Sequence, residues 1–173
     1  MKYKVRNNYT LNPIHAIDEI LLDRGVENVD EYKNPDFSQE LNPYLLNNIV
    51  AAANKLIEHL EKESHILFVV DQDFDGFSSS AVLWLYIKRI YPNANLDFTV
   101  HEHKQHGIDD KIDWILSQNY DLVITPDSSS YHVEEHARLA AAGINCIVLD
   151  HHQQEYDENK QPIISKHAIV VNN

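Results

Sequence analysis

From residue 65 onward, the chain alternates short apolar runs with segments in which apolar residues recur at helical spacing. The apolar runs predict five β-strands, at 65–70, 96–100, 122–125, 145–149 and 168–171. The segments between them predict helices at 78–91, 110–118 and 133–142. Apolar runs without alternation are typical of strands covered on both faces, and β-α-β alternation indicates parallel pairing. We therefore predict an α/β fold with a doubly wound, mainly parallel five-stranded sheet flanked by helices.

The first 64 residues have a different, helical pattern. Apolar residues recur at spacings of three and four from Ile14 to Leu22, and Gly25 is a suitable stop for that helix. A loop through the Asn-Pro pairs at 34–35 and 42–43 precedes a long amphipathic helix predicted over 45–62. We interpret 1–64 as a helical N-terminal segment packed on a core formed by 65–173.

Length and composition limit the class of protein. The 173 residues are typical of one globular domain, and 43% apolar residues exclude a wholly disordered chain. The longest apolar runs are too short to cross a membrane and the N-terminus lacks the apolar core of a signal peptide, so we expect a soluble, cytoplasmic protein with no membrane partner. The single cysteine, Cys146, lies in an apolar run, which predicts a buried structural thiol and excludes a thiolate zinc cage.

The charge balance is strongly acidic. The 27 Asp and Glu residues against 14 Lys and Arg residues give a formal charge of −13, which argues against a broad electropositive surface for nucleic acid. Carboxylates that hold divalent cations are partly neutralised, however, and two such ions would change −13 to −9. The positions of the acids are therefore more informative than their number.

Acidic residues follow three of the predicted strands. The first strand is followed by Asp71, Asp73 and Asp75, the third by Asp127, and the fourth by Asp150, His151 and His152. Because ligands bind beyond the carboxyl ends of parallel strands, we expect these side chains to converge on one crevice. Carboxylates so close would repel one another without cations, and Asp with His but no Cys favours Mn²⁺, Mg²⁺ or Zn²⁺. The pattern predicts a dinuclear site for phosphoryl chemistry.

Each of these motifs has a simpler interpretation. Asp127 could be no more than a cap for the following helix, and a His-His pair is often part of an ordinary surface or core. The run Asp71 to Gly76 could be a calcium loop, but an EF-hand requires Glu at position 12, where this chain has Val82.

Three motifs resemble, in order and approximate spacing, those of the DHH phosphoesterases: VVDQDFDG at 69–76, DLVITPD at 121–127 and VLDHH at 148–152. Within that superfamily the chain is similar to the RecJ branch, the 5′ to 3′ single-strand-specific DNA exonucleases. That similarity rests on the three-acid form of the first motif, the segment LLDRGVENVDEY and the closing AIVVNN. It covers nearly the whole chain and implies a DHH phosphoesterase domain over 65–173.

The resemblance implies a role for each acid and histidine. Asp73 and Asp75 correspond to ligands of two metal ions, Asp127 to the carboxylate that bridges them, and His151 to a metal-binding imidazole. Asp71 and His152 would act in catalysis from the rim or from behind the ligands, with His152 near the scissile phosphate, and Asp150 would orient a histidine.

Four further residues are candidates for phosphate contact. Lys104 and His106 lie where RecJ proteins carry a basic stretch, although a solvated loop is the alternative there. Ser78 and Ser79 follow Gly76 and open the predicted helix, so their N–H groups and hydroxyls could face a phosphate, with helix capping as the simpler role. The expected cofactors are two divalent ions, Mn²⁺ in preference to Mg²⁺, acting in two-metal hydrolysis.

Two departures from the RecJ pattern affect the site. Val69-Val70 stands where a Gly, often a His-Gly, is usual, and Ser128-Ser129-Ser130 stands where Asn-Gly follows the second-motif Asp. The fourth-motif Asp and the second domain of the family would lie beyond Asn173. We therefore expect either the N-terminal part of a longer nuclease or a naturally reduced member, with little or no exonuclease activity and weak DNA binding from 1–173 alone.

The function expected from the sequence is metal-dependent phosphodiester hydrolysis, as in a RecJ-type exonuclease of DNA recombination and repair. Its partners would be single-stranded DNA and other recombination or replication proteins. The alternatives are a phosphodiesterase for oligonucleotides or cyclic dinucleotides, a manganese pyrophosphatase, whose first motif begins with His, and an inactive DHH scaffold. Retention of the acids disfavours the scaffold.

Overall fold

The computed structural model of the protein describes residues 15–101, 105–153 and 155–172. The chain forms two compact units, which divide between Asn42 and Pro43. Among the described residues, no helix is both long enough and apolar enough to span a membrane.

The described part of the first unit is helical. Helix α1 (Ala16–Asp23) is followed by Gly25, whose φ of 88° is left-handed, as expected of a glycine that stops a helix. Helix α2 (Val29–Lys33) begins where the Asn28 side chain accepts a hydrogen bond from the N–H of Glu31. A 3-10 turn follows at Phe37–Gln39. Helix α2 and this turn add to the helix that the sequence pattern predicted.

The second unit contains a parallel sheet of five strands in the order β2-β1-β3-β4-β5. The strands are β1 (Ile66–Val70), β2 (Leu96–Val100), β3 (Leu122–Pro126), β4 (Asn145–Leu149) and β5 (Ile169–Val171). Each bound lies within one residue of its prediction. The predicted α/β fold with a parallel five-stranded sheet is confirmed.

Helices cover both faces of the sheet. On one face, Phe68 and Ile124 pack with Ala52 and Leu60 of α3 (Ile49–Glu61) and with Ile87 of α4 (Phe74–Ile90). On the other face, strand residues such as Val69 and Cys146 pack with α5 (Ile112–Leu116) and α6 (Val133–Ala141). Two covered faces explain why β1 and β3 are buried at every position. Cys146 is buried, as predicted, and burial raises its pKa to about 12.

Helix α4 begins at Phe74, four residues before the predicted start at 78. The Asp73 side chain caps it by accepting the N–H of Gly76 at 3.0 Å. At Gly76 the helix also approaches the end of β1 so closely that an added Cβ would lie 2.6 Å from the Cβ of Asp71. Asp75 therefore lies in the first helical turn, and Ser78 and Ser79 lie in the second rather than opening the helix.

One buried histidine makes the second unit sensitive to acid. His136 on α6 is fully buried, and neither ring nitrogen has a hydrogen-bond partner among the described residues. Burial, and then the nearby His132 and His167, lower its pKa to about 4. In the unfolded chain the imidazole of His136 has a pKa near 6.5. As the pH falls, the unfolded chain therefore binds a proton at His136 before the folded chain does. The contribution of neutral His136 to the free energy of unfolding is therefore fully present above about pH 6.5 and is lost as the pH falls toward 4.

We predict that His136→Leu, which cannot titrate, makes the protein less sensitive to acid. Between pH 7 and pH 5, the stability difference between the variant and the original chain should shift in favour of the variant by about 2 kcal/mol. Urea denaturation at the two pH values, in the presence of a chelator, measures this. Leu139→Met on the same helix is the control and should change stability equally at both pH values. An equal effect of His136→Leu at both would contradict the prediction.

Candidate metal centre

The acid-bearing segments meet because of strand order. Strand β3 lies between β1 and β4, and all three run parallel, so their carboxyl ends lie side by side. Asp71 follows β1, Asp127 follows β3 and Asp150 follows β4. The segments that carry the predicted site residues therefore share one edge of the sheet.

Within the described residues, three overlapping groups of side chains have ligand atoms within 4.8 Å of one another. Asp73 and Asp127 each belong to two of these groups, and they join the three into one assembly, which we call the acid cluster. Its members are Asp71, Asp73, Asp75, Asp127, His106, His151 and His152. The four residues for which the resemblance implies metal binding, at positions 73, 75, 127 and 151, are all in the cluster.

Asp127 is the buried centre of the cluster. Its side chain is 3% exposed, and its Oδ1 atom lies 2.9 Å from Nε2 of His151. The other oxygen, Oδ2, is buried and has no hydrogen-bond partner among the described residues. Burial, and then the charges of Asp75 and Asp73, raise the pKa of Asp127. A buried carboxylate oxygen without a donor, surrounded by other carboxylates and an imidazole, fits a divalent cation.

Asp73 and Asp75 are held by the start of α4. The hydrogen bond from the N–H of Gly76 is the main cause that lowers the pKa of Asp73, so this carboxylate is held ionised. Asp75 is exposed, and its Oδ2 atom lies 3.6 Å from Nε2 of His151. The capping interaction that starts the helix thus also positions two of the acids.

Asp71 is buried within the site, which fits the second of its two expected places, behind the ligands, and it pairs with His106. It is fully buried, and its Oδ2 atom lies 2.7 Å from Nδ1 of His106, while Oδ1 accepts the N–H of Gln72. The position of His106 in the sequence indicated phosphate contact but gave no sign of its place beside Asp71 in the acid cluster. Lys104, the neighbouring candidate, lies outside the described residues.

Asp150 organises the Asp-His-His motif. Its Oδ1 atom lies 2.8 Å from Nδ1 of His152 and accepts the N–H of His151, while Oδ2 accepts the N–H of Ser130. Burial alone would raise the pKa of Asp150, but the hydrogen bonds from Ser130 and His152 outweigh it and lower the pKa to about 2. The bond to Asp150 in turn is the main cause that raises the pKa of His152. This contact orients the His152 ring, with Nδ1–H as the donor.

A cavity of about 820 Å³ borders the acid cluster on the side of α4. Asp75, Asp127 and His151 line it, and so do Ser78 and Ser79. The hydroxyls of these serines donate to the carbonyls of Asp75 and Gly76, each at 3.2 Å. The serines are thus beside the cluster, and their contact with phosphate stays a prediction.

The loop after β3 has an unusual backbone. Asp127 and Ser129 have φ values of 72° and 80°, which is the left-handed region that side chains disfavour. Gly107 packs against this loop with a φ of 80°, and a Cβ there would lie 2.1 Å from Cε1 of His132. The only sequence signal for this conformation was the departure from Asn-Gly at 128–130.

Comparison with known proteins relates these features to a family. Residues 65–169 match the DHH family, N-terminal domain. The chain is 40% identical over 175 aligned positions to YorK of Bacillus subtilis strain 168, a candidate single-strand DNA-specific exonuclease derived from the SPbeta prophage. It is 26% identical over 151 positions to the single-stranded-DNA-specific exonuclease RecJ of Haemophilus influenzae. It covers 28% of the length of YorK and 26% of that RecJ.

Two solved structures have the same fold. A crystal structure of exonuclease RecJ bound to manganese is 25% identical with a TM-score of 0.61, over 73% of this chain and 31% of that one. The structure of RecJ from Thermus thermophilus in complex with Mn²⁺ has 24% identity and a TM-score of 0.63, over 88% of this chain and 20% of that one.

We predict that Ser129→Gly is more stable than Ser128→Gly by about 1–2 kcal/mol. Both serines are buried, and both hydroxyls lack a partner among the described residues, so hydroxyl loss affects the two variants alike. Only Ser129 has the left-handed φ that glycine adopts without strain. Urea denaturation of the two variants in chelator measures the difference, and equal stabilities would show that the backbone at 129 is not strained.

Proposed function

The chain belongs to the DHH family, and from this premise we propose that it serves in metal-dependent hydrolysis of phosphodiester bonds. The observation that carries the proposal is the buried Oδ2 atom of Asp127, which has no hydrogen-bond partner in the described part of the chain and lies in a cluster with Asp73, Asp75 and His151. A carboxylate kept in that environment is unfavourable by itself, and a cation beside it removes the penalty.

We propose two divalent ions as cofactors, Mn²⁺ in preference to Mg²⁺. Asp73, Asp75, Asp127 and His151 would hold them. Such ions supply neutralisation of the charge that develops on a phosphate and lower the pKa of water. The manganese bound in both RecJ structures supports this choice.

The remaining residues would bind and orient the substrate. With its Nδ1–H directed to Asp150 and its pKa raised, His152 can be cationic and offer Nε2–H to a phosphate oxygen. Asp71 and His106 hold each other through the 2.7 Å contact, which limits the movement of both. Ser78, Ser79, His106 and Lys104 stay our candidates for phosphate contact.

We propose single-stranded DNA as the substrate, with digestion from 5′ to 3′, in recombination and repair. The names of YorK and of the Haemophilus RecJ support this assignment, and each of those proteins is several times longer than the matched region. For such an activity we expect a cytoplasmic location, with other recombination or replication proteins as partners.

Metal binding should appear in thermal stability. We predict that saturating Mn²⁺ stabilises the folded chain by about 3 kcal/mol at a hundred times its dissociation constant, and that Asp127→Asn abolishes most of this gain. In chelator, the variant should be no less stable than the original chain, since it loses the repulsion from Asp73 and Asp75 and since Asn tolerates the left-handed backbone. Melting curves with Mn²⁺ and with chelator measure both effects.

Glu61→Gln, at the exposed end of α3, is the matched control, because it removes one carboxylate outside the acid cluster. It should keep the full response to Mn²⁺. Identical melting curves of the original chain in Mn²⁺ and in chelator would contradict the metal site.

Hydrolysis itself is best tested with a small diester, bis(4-nitrophenyl) phosphate, because this substrate needs no extended DNA-binding surface. We predict that the chain hydrolyses this substrate only in the presence of Mn²⁺. Asp127→Asn should reduce the rate by about 100-fold or more, whereas Glu61→Gln should leave the rate unchanged. Labelled single strands with either end marked then report polarity. Because little digestion of DNA is expected from 1–173 alone, the small diester decides the outcome, and Mn²⁺ binding without its hydrolysis would contradict the enzymatic role and favour a scaffold.

A further inference from the structure

Strand β2 lies at one edge of the sheet, and within the described residues it pairs with β1 alone. The carbonyl of Asn95 accepts the N–H of Ile66 on β1 at 3.0 Å. Successive residues of a strand turn their backbone groups to opposite sides, so every second residue after Asn95 turns toward β1 and the others turn outward. The outward residues are Leu96, Phe98 and Val100. The outer edge of β2 thus offers backbone donors and acceptors to a further strand.

An apolar cavity of about 280 Å³ adjoins this edge, between β2 and α4. We call it the edge groove, and its main lining residues are Phe77, Trp84, Leu85, Phe98 and Val100. Leu85 and Phe98 are 67% and 64% exposed, and the Phe98 ring packs edge-on against Trp84 with centroids 5.9 Å apart. No charged residue occurs among the described residues that line the groove. Large apolar side chains beside an open strand edge are typical of a protein interface.

The absence of charge also indicates the class of partner. Nucleic acid binds through Lys and Arg contacts to its phosphates, and these described residues of the groove supply none. The chain as a whole has a formal charge of −13, which disfavours a polyanion further. A protein strand that brings apolar side chains fits both the edge and the groove.

A second copy of this chain is complementary to the edge. In an antiparallel pair centred on Phe98, the two Phe98 residues lie opposite each other and Leu96 lies opposite Val100. All outward residues of β2 then pair, and the apolar side chains of both copies meet on one face. On the other face Asp97 lies opposite Thr99, so no two carboxylates meet. A register centred on Asp97 would instead oppose two carboxylates, which is unfavourable.

The exposed apolar area is of the size that a dimer needs. A phenylalanine side chain can bury about 150–250 Å². Since Phe77 and Phe98 are 51% and 64% exposed, they leave roughly 200 Å² to bury in each copy, or roughly 400 Å² in two. A specific interface buries about 1,000 Å² or more in total. Leu85, Val100 and the backbone of β2 are available for the remainder.

We propose that two copies of this chain associate through the outer edge of β2, in an antiparallel register centred on Phe98. The two five-stranded sheets then form one continuous sheet about a twofold axis, with the two edge grooves in contact. Because the strands of the two copies run in opposite directions, the two acid clusters lie at opposite edges of the joined sheet.

Sedimentation equilibrium of the full chain in chelator, over a range of concentrations, measures the association. We expect a mass that rises to about 40 kDa, twice the 20.0 kDa of one chain. Phe98→Lys places two like charges opposite each other and should raise the dissociation constant of the dimer about tenfold or more. Val82→Lys is the matched control, because Val82 is a 71% exposed apolar residue of α4 that does not line the edge groove. It should leave the dissociation constant unchanged.

A disulfide tests the register. In the proposed pair the Cα atoms of the two copies at position 98 lie about 5.5 Å apart, within the range of about 4.4–6.8 Å that a disulfide spans. With a mild oxidant, Phe98→Cys should therefore form a covalent dimer. Thr99→Cys is the control on the same strand, because its Cα atoms would lie about 7–8 Å apart and should not be bridged. The natural thiol, Cys146, is buried.

Three results would overturn the proposal. A single 20.0 kDa species at every concentration would show that the edge groove serves a different partner. A dimer that Phe98→Lys does not weaken would place the interface elsewhere, and covalent dimers of Thr99→Cys as abundant as those of Phe98→Cys would exclude the register. If Phe98→Lys does not fold by circular dichroism, Leu85→Lys replaces it, since Leu85 is exposed on α4. None of these measurements requires a metal ion, so they leave the proposed function unaffected.

Discussion

Electrostatic repulsion between one buried carboxylate, that of Asp127, and the carboxylates beside it is the constraint on which the site depends. The parallel order of β1, β3 and β4 places acid-bearing segments side by side, and Asp127 is removed from solvent between Asp73, Asp75 and His151. Water cannot screen the charge of Asp127 well at its buried position. The protein reduces the repulsion with local donors, such as the N–H of Gly76 to Asp73, but leaves Oδ2 of Asp127 without one among the described residues. The remaining imbalance is what a cation would correct.

The sheet was predictable because its signal is repeated and averaged over several residues. Strands covered on two faces are rich in apolar residues, and the apolar runs of the sequence placed all five strands within one residue of their observed bounds. The start of α4 was not predictable in this way, because a single side chain, Asp73, determines it by accepting the N–H of Gly76. Helix α2 depends in the same way on one cap, at Asn28.

The same distinction separates the site residues that could be predicted from those that could not. Residues attached directly to strand ends, such as Asp127 and His151, could be placed from the sequence because strand order alone brings them together. The pairing of His106 with Asp71 could not, since the path of the loop after β2 determines it and no periodicity encodes that path. The left-handed backbone at Ser129 could not be predicted from the residue type, because serine does not indicate such a conformation as glycine does.

The close approach of α4 to β1 has a consequence for how this gene can vary. Every amino acid other than glycine would place a Cβ at position 76 within 2.6 Å of the Cβ of Asp71 and 2.8 Å of its carbonyl oxygen. Any missense change of the Gly76 codon introduces such an atom, whatever base is altered. Every first substitution of Gly76 therefore clashes with Asp71, and another residue could replace this glycine only after the backbone at Asp71 had already moved.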